Sequence, residues 1–245
     1  MTRNCRRENE DAVAPRSSLI PMLTDRDMEL LTMLIWSIFA TVEVRGTDDT
    51  TEIGSNNANI RAEVAFNSDS LLLPVAIAGG VLTAHVVPQG GIVSGTSAVM
   101  TLSGWNWQDM TMKGAVGMHL SYPRITPRER RFGGGNAEDF EKQKEKALKE
   151  LQDLFDGARA YRTAREAANA KKGPAVEIDP KLEAMMPVLD GRTPLFIHAE
   201  EQTQIASALD WARKEKLTNI VLVSGEDAQY LAARLAKENV PVILE

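Results

Sequence analysis

The residue best placed for chemistry is His198, at the end of the apolar segment 194–198 (PLFIH). Such a segment predicts a buried strand with an imidazole at its carboxyl end. Barrels of alternating strands and helices gather metal ligands and catalytic groups at that end of their strands. The chain has three histidines and one cysteine, so few other imidazole or thiolate side chains could share a metal ion with His198. The lone Cys5 also excludes an internal disulfide and a multi-cysteine zinc site.

The elements around this histidine alternate between strands and helices. Strands are predicted at 194–198, 219–224 and 240–245, and helices at 201–215 and 227–238. Two consecutive β–α–β units predict a parallel sheet. No G-x-G-x-x-G turn follows any of these strands, which disfavours an open nucleotide-binding domain.

The preceding part of the chain supplies further strands and the longest helix. Apolar runs predict strands at 81–88 and 115–121, the first of them buried on both faces in a parallel sheet. The glycine-rich segment 89–97 between them predicts a tight structural loop, since it lacks the lysine of a phosphate-binding loop. Asn136–Lys172 has acidic first turns and an apolar stripe, which predict a long helix. The pattern as a whole indicates the α/β class.

Composition limits the classes of partner. The net charge of −6, the pI near 5.3 and the aromatic content of 5% argue against nucleic acid and anionic membrane surfaces. The most apolar segment, Leu30–Val42, is shorter than the roughly 20 residues of a spanning helix, so no membrane span is predicted. Arginines precede it as in an export signal, but acidic residues interrupt that pattern. A cytoplasmic and an exported, periplasmic location are both left open.

Three segments carry a resemblance to a known family. Gly80–Ala84 and Val86–Pro88, followed by Gly90–Ala98 (GGIVSGTSA), together resemble the second-strand region of imidazolonepropionase-like amidohydrolases. Pro187–Glu200 and Leu222–Ala228 resemble the family's fifth and sixth strand regions. The resemblance covers residues 42–245 and leaves 1–41 as an N-terminal arm and apolar helix outside the family fold. It implies a metal-dependent TIM barrel that hydrolyses C–N bonds in cyclic amides or peptide-like small molecules.

The resemblance also implies part of a metal site. His198 matches the ligand position after the fifth strand, and His119 matches the end of the fourth strand more loosely. The implied cofactor is a divalent metal ion, zinc by preference. The family's HxH pair is absent from the chain, and Ser224 stands where the histidine after the sixth strand is expected. No counterpart of the eighth-strand aspartate, the family's general base, can be named.

Two interpretations follow from this incomplete set. The first is a metal-dependent hydrolase of amide or cyclic amide C–N bonds. A catalytic zinc ion needs about three protein ligands and an open water position, and the recognised positions supply fewer. Six or seven strands can be counted, whereas a TIM barrel closes with eight, so the expected fold is a TIM-barrel-like parallel (β/α) barrel that is incomplete. The alternative is therefore a catalytically inactive fragment or interaction module that lacks a complete metal site.

Overall fold

The computed structural model describes residues 53–127, 137–171 and 173–244. These residues all fall within one compact unit of the chain, Asp49–Glu245. The predicted N-terminal arm at 1–41 lies outside the described residues, so its boundary with the rest of the chain stays a prediction. No described helix is both long and apolar enough to cross a membrane.

The described elements are short strands and six helices, numbered in chain order. The strands are β1 (Thr83–Val86), β2 (Val93–Thr96), β3 (Ala98–Thr101), β4 (Thr111–Lys113), β5 (Met118–Ser121), β6 (Leu195–Ala199), β7 (Ile220–Ser224) and β8 (Val242–Leu244). The helices are α1 (Leu72–Ala78), α2 (Trp107–Met110), α3 (Ala137–Asn169), α4 (Pro180–Leu189), α5 (Gln202–Lys214) and α6 (Ala232–Glu238). Two 3-10 turns lie at Ala62–Ala65 and Ala228–Leu231.

The larger sheet positions the candidate site. Its order is β2-β5-β6-β7-β8, with β5 to β8 mutually parallel and β2 antiparallel to β5. Helix α5 connects β6 to β7, and α6 connects β7 to β8, which confirms the two predicted β–α–β units. In register, Ser121 pairs with His198, and Ala199 pairs with Ser224. The carboxyl ends of three parallel strands therefore meet at one edge of the sheet.

The described sheet is open. β2 and β8 are its two edges, and its five strands do not close on themselves within the described residues. A closed barrel needs a strand number, tilt and stagger that agree with one another, and the TIM barrel reaches this agreement with eight strands. The α/β class with parallel strands is confirmed. The TIM-barrel part of the predicted fold is not confirmed by these residues.

Two local predictions between residues 81 and 97 are wrong. The segment 81–88 does contain a strand, β1, but the prediction that this strand is buried on both faces in a parallel sheet is wrong. β1 pairs antiparallel with β3 in a separate sheet of order β1-β3-β4, and its residues alternate between exposed and half-buried. The segment 89–97, predicted as a loop, contains the buried strand β2. The glycine content of this segment predicts a loop, although here a glycine lies inside the strand. Gly95 has φ of +126°, and a Cβ there would lie 2.7 Å from the carbonyl oxygen of Ile60, so only glycine fits this close approach.

The long helix covers the sheet as its apolar stripe predicts. Leu151, Phe155 and Ala158 of α3 are fully buried and pack with residues of β5, β6 and α5. Phe155 meets Trp211 of α5 edge to face, with ring centroids 4.9 Å apart. This arrangement removes a large apolar area from water and holds α5 against the strands whose ends form the candidate site.

Candidate functional site

A cleft of about 500 Å³ lies at the carboxyl ends of the parallel strands. Ser121 of β5, His198 of β6 and Ser224 of β7 all line it, because the register brings these strand ends side by side. The volume is within the range of small-molecule sites, roughly 300–1,000 Å³. Open parallel sheets and barrels alike bind their ligands at this end of the strands.

The two histidines singled out from the sequence are in direct contact. Nδ1 of His119 lies 2.8 Å from Nε2 of His198. His119 is the second residue of β5, inside the strand, and His198 is the fourth residue of the adjacent strand β6. His198 lines the cleft, whereas His119 is 1% exposed behind it. The sequence placed these residues 79 positions apart, and strand pairing brings them together.

The surroundings of His119 favour its neutral form. Its ring stacks on Phe196 with centroids 4.8 Å apart and an interplanar angle of 6°. The ring of His85 lies 5.7 Å away on another side. Burial, and then the nearby His198 and His85, lower the pKa of His119 from its ordinary 6.5 to about 3. His119 is therefore neutral near pH 7, and neutral imidazole is the form that binds metal ions.

The hydrogen-bond partners assign the tautomer of His119. Its Nε2 is buried and has no hydrogen-bond partner among the described residues. An unpaired buried N–H group is rarer than an unpaired acceptor, so we place the proton on Nδ1. Nδ1–H of His119 then donates to Nε2 of His198. In this arrangement the buried histidine fixes the orientation of the histidine that faces the cleft.

The described residues do not complete a catalytic metal site by themselves. No group of three or more His, Cys, Asp or Glu side chains gathers in the described part of the chain. Two nitrogen ligands of one zinc ion lie about 3.3 Å apart, because each Zn–N bond is roughly 2.0–2.1 Å. The 2.8 Å between His119 and His198 is instead a hydrogen-bond distance. The pair thus offers at most two of the roughly three ligands that such an ion needs.

The third histidine has a structural partner. Nε2 of His85 lies 2.8 Å from Oγ of Ser97. That hydroxyl in turn donates to the carbonyl oxygen of Gly117 at 3.3 Å, so His85 is the donor to Ser97. Ser97 is fully buried. A serine that is buried and already donates to the backbone is not an activated nucleophile, and the bond ties β1 to the start of β5.

Gln204, which the sequence did not single out, holds two sides of the cleft together. It is 6% exposed and lies in the first turn of α5. Its Nε2 donates to the carbonyl oxygen of Tyr122 at 2.7 Å, and its Oε1 accepts from the backbone N–H of Glu200 at 3.0 Å. Tyr122 follows β5 and Glu200 follows β6, so one amide side chain joins the segments that leave the two strands. The hydroxyl groups of Tyr122 and Ser207 add a second bond at 2.9 Å.

Replacing Gln204 with methionine should lower the free energy of unfolding by about 2–4 kcal/mol, because each buried polar group left without a partner costs roughly 1–3 kcal/mol. Methionine keeps most of the side-chain volume but leaves the Tyr122 carbonyl and the Glu200 amide unpaired. Urea denaturation measures the change. Gln202→Met, at an exposed position of the same helical turn, is the control and should stay within about 0.5 kcal/mol of the unmodified protein. Equal effects of the two substitutions would contradict the role assigned to Gln204.

Among the described residues, the Lys, Arg, Asp and Glu side chains that line the cleft are Arg124 and Glu200. Nη2 of Arg124 is 3.3 Å from Oε2 of Glu200, with side chains 39% and 48% exposed. Both residues line the cleft. Glu201, the next residue, is the N-cap of α5 but makes no side-chain cap hydrogen bond.

Ser224 lines the cleft at the end of β7, where the resemblance would place a histidine. Its φ of +71° lies in the left-handed region, which residues with a β-carbon adopt at a cost of roughly 1–2 kcal/mol. Gly225 follows with φ of +50° and turns the chain toward the next helix. The backbone at this strand end is therefore sharply turned beside the cleft.

Comparison with known proteins gives one likeness. No family model matches the chain, and no curated protein matches it. Among solved structures it is similar to an amidohydrolase from Thermotoga maritima MSB8, with a TM-score of 0.67 and 21% sequence identity. The fold is amidohydrolase-like. The match covers 82% of this chain and 50% of the other, so this chain spans about half the length of that relative. At this identity the likeness shows the fold alone, and it does not single out the imidazolonepropionase-like subfamily.

Proposed function

We propose that the protein is a metal-dependent hydrolase of the amidohydrolase type, which cleaves a C–N bond of an amide or cyclic amide bound in the cleft. The observation that best supports this proposal is the contact between His119 and His198. Their strands are adjacent and parallel, His198 lines the cleft, and the fold is amidohydrolase-like. The imidazolonepropionase-like subfamily, the closed barrel and the peptide-like substrate belong to the same proposal and rest on the sequence resemblance.

We further propose that His198 and His119 contribute two ligands to a divalent metal site, zinc by preference. His119 suits this role because it is neutral near pH 7. To share one ion, the N···N distance of the pair would have to lengthen by about half an ångström, and the proton on Nδ1 of His119 would have to move to its buried Nε2. At least one further ligand has to come from outside residues 53–127, 137–171 and 173–244 or from another molecule.

The small number of ligands favours a second candidate function. Two imidazoles joined by a hydrogen bond are a stable arrangement without any ion, and no third ligand accompanies them in the described part of the chain. On this alternative the protein is a catalytically inactive binding module that uses the cleft without metal chemistry.

The metal content of the purified full chain separates the two functions. After incubation with zinc and removal of the excess, mass spectrometry should find about one ion per chain. His198→Ala should lose the ion, because two imidazoles would be reduced to one. His85→Gln, at a histidine bonded to Ser97 and outside the pair, should keep it. Metal at background level in all three proteins would contradict the metal site and favour the inactive module.

Hydrolysis itself is tested on the zinc-loaded protein. N-acylated amino acids and five- and six-membered cyclic amides form the substrate panel, and NMR detects the new carboxylate. We expect turnover of at least one member and a loss of roughly a hundredfold or more in His198→Ala, since even outer-shell partners of a metal are worth 10–100-fold. Metal binding without turnover of any member would contradict the hydrolase proposal.

A further inference from the structure

We propose that the edge strand β8 is an interface at which a second copy of this chain pairs antiparallel with the first about a two-fold axis. The larger sheets of the two copies then become one continuous sheet across the axis. The inference is independent of the proposed hydrolase function, because it concerns the outer edge of the sheet and uses no residue that lines the cleft.

The two edges of the larger sheet differ in how they are protected. At β2 the preceding segment lies alongside the strand, with bridges from Asn56 to Val93 and from Arg61 to Thr96. β8 has no further strand beside it among the described residues. Exposed edges are ordinarily protected by charged side chains, bulges or prolines, and the Val-Ile-Leu sequence of β8 contains none of these. Its edge is therefore open to pairing.

The backbone groups of β8 that point away from β7 belong to Val242 and Leu244. The N–H of Leu222 in β7 donates to the carbonyl oxygen of Pro241, so residues 241 and 243 direct their backbone polar groups toward β7. Successive residues of a strand alternate in this direction, which leaves the N–H and C=O groups of Val242 and Leu244 at the open edge. About a two-fold axis at Ile243, Val242 pairs with Leu244 of the second copy. The two equivalent pairs exchange about four hydrogen bonds.

An apolar groove beside β8 leaves room for the second copy. A cavity of about 490 Å³ is lined by residues of α6 and β8, among them Ala232, Ala236, Val242 and Leu244. Leu244 is 71% exposed and Ile243, on the other face of the strand, is 41% exposed. A two-fold axis perpendicular to the sheet keeps each face on its own side, so the second copy places its own Val242 and Leu244 beside this groove. Pairing thus removes apolar surface of both copies from water.

The spacing of strands and helices favours a second copy over an unrelated extended peptide. Helix α6 connects β7 to β8 and packs on these two strands. The α6 helix of the second copy would lie two strand spacings away, which is about 9.6 Å. Packed helices have axes about 8–10 Å apart, and the exposed Ala232 and Ala236, one turn apart, give α6 a surface of small side chains suited to that distance. A lone peptide would pair with β8 but leave this helix surface exposed.

The charges at the two ends of the groove are complementary. Glu226 lines the groove beyond the carboxyl end of β7, and Lys237 lies in the last turn of α6, at the opposite end. Antiparallel pairing brings unlike ends together, so Glu226 of each copy faces the end that carries Lys237 of the other. The neighbouring acid Glu238 is already paired with Arg213 and Arg234 of its own copy.

Analytical ultracentrifugation of the full chain tests the proposal. The mass should rise from 26.9 kDa toward twice that value as the concentration increases from about 1 µM to about 200 µM, since pairing follows mass action. Leu244→Lys puts a charge into the paired edge and should raise the midpoint concentration about tenfold or more. Met112→Lys changes an equally exposed apolar residue of β4 and should leave the midpoint unchanged. Circular dichroism shows whether both variants keep the fold.

Cysteine substitutions test the register in a chain that also carries Cys5→Ser. Ile243→Cys puts two thiols opposite each other at the axis, with Cα atoms about 4.5 Å apart, which is within the range of a disulfide. Leu244→Cys is the matched control, because its Cα and that of its symmetry mate would be about 8 Å apart and outside this range. Mild oxidation should therefore cross-link Ile243→Cys and leave Leu244→Cys largely monomeric on a non-reducing gel.

The inference is overturned by a mass of 26.9 kDa at every concentration, by a dimer that Leu244→Lys leaves intact, or by cross-linking that does not favour Ile243→Cys over Leu244→Cys. A species larger than a dimer would also overturn it, because isologous two-fold pairing closes at two copies. A monomer would assign the open edge to a strand of a different chain. Metal content and hydrolysis do not enter these measurements, so the proposed function stands or fails separately.

Discussion

Replacing Gly117 with alanine should lower the free energy of unfolding by about 3 kcal/mol or more, the upper range for overpacked cores. A Cβ at this position would lie 1.9 Å from Cε2 and 2.2 Å from Cδ2 of Phe196. Phe196 is buried and stacked on His119, so its ring has little space into which it can withdraw. The substitution thus strains the packing directly behind the candidate site.

The matched control for this substitution is Gly157→Ala in the long helix α3. A Cβ there meets no atom within 4 Å, and glycine inside a helix costs roughly 0.5–1 kcal/mol relative to alanine. We therefore expect the free energy of unfolding to fall in Gly117→Ala and to rise in Gly157→Ala. Chemical denaturation of both variants measures the two changes. A Gly117→Ala protein within about 1 kcal/mol of the unmodified chain would show that the Phe196 ring moves freely, and would remove the argument for a rigid support of His119.

Acid should destabilise the protein through His119. The pKa of His119 is about 3 in the folded protein, and the ordinary value of 6.5 applies to the unfolded chain. Between pH 3 and pH 6.5 the unfolded chain therefore binds more protons than the folded protein. Stability therefore rises with pH across the window and falls as the pH drops below 6.5. Between pH 7.5 and pH 5 the loss from this group alone amounts to about 2 kcal/mol, and it grows further toward pH 3. Denaturation at a series of pH values in EDTA measures it.

Two substitutions test whether His119 is the cause. His119→Asn removes the titration but keeps a donor near the Nδ1 position, so the slope of stability against pH should flatten between pH 6.5 and pH 4. His85→Asn removes a histidine whose pKa is also lowered by burial but which is more exposed, and it should flatten the slope less. An unchanged slope in His119→Asn would contradict the assignment.

The parts of the fold that the sequence predicted are those in which a periodic apolar pattern repeats over many residues. The helix expected at Asn136–Lys172 is found at Ala137–Asn169, because its stripe of buried residues is a local property of the helix. The two β–α–β units after residue 194 were predicted for the same reason. The position of His198 at a strand end follows from them.

The failures concern pairings between distant segments. Nothing local indicates that β1 joins a small antiparallel sheet rather than the parallel one, since both kinds of strand can be rich in apolar residues. The buried strand β2 was hidden by glycines that permit a close approach of backbones. Strand number cannot be counted reliably when strands of three or four residues carry so little pattern.

The candidate site was predicted only in part. His119 and His198 were both named, but their 2.8 Å contact depends on the register of β5 and β6, which the sequence does not specify. The sequence did not predict the role of Gln204, because a glutamine early in a helix is ordinarily solvated. A possible signal was its place four residues after Glu200, within reach of the backbone that enters the helix.

The three histidines lie close together beside the cleft, so their NMR signals can report on binding there. The chain has three histidines, and ring contacts join His85 to His119 and His119 to His198. Isotope labelling of histidine alone would therefore yield three sets of imidazole resonances, which all report on one place in a chain of 245 residues. The three differ in depth, since His198 faces the cleft and His119 lies behind it. The order in which the resonances shift during a titration would show how far a bound molecule perturbs the interior.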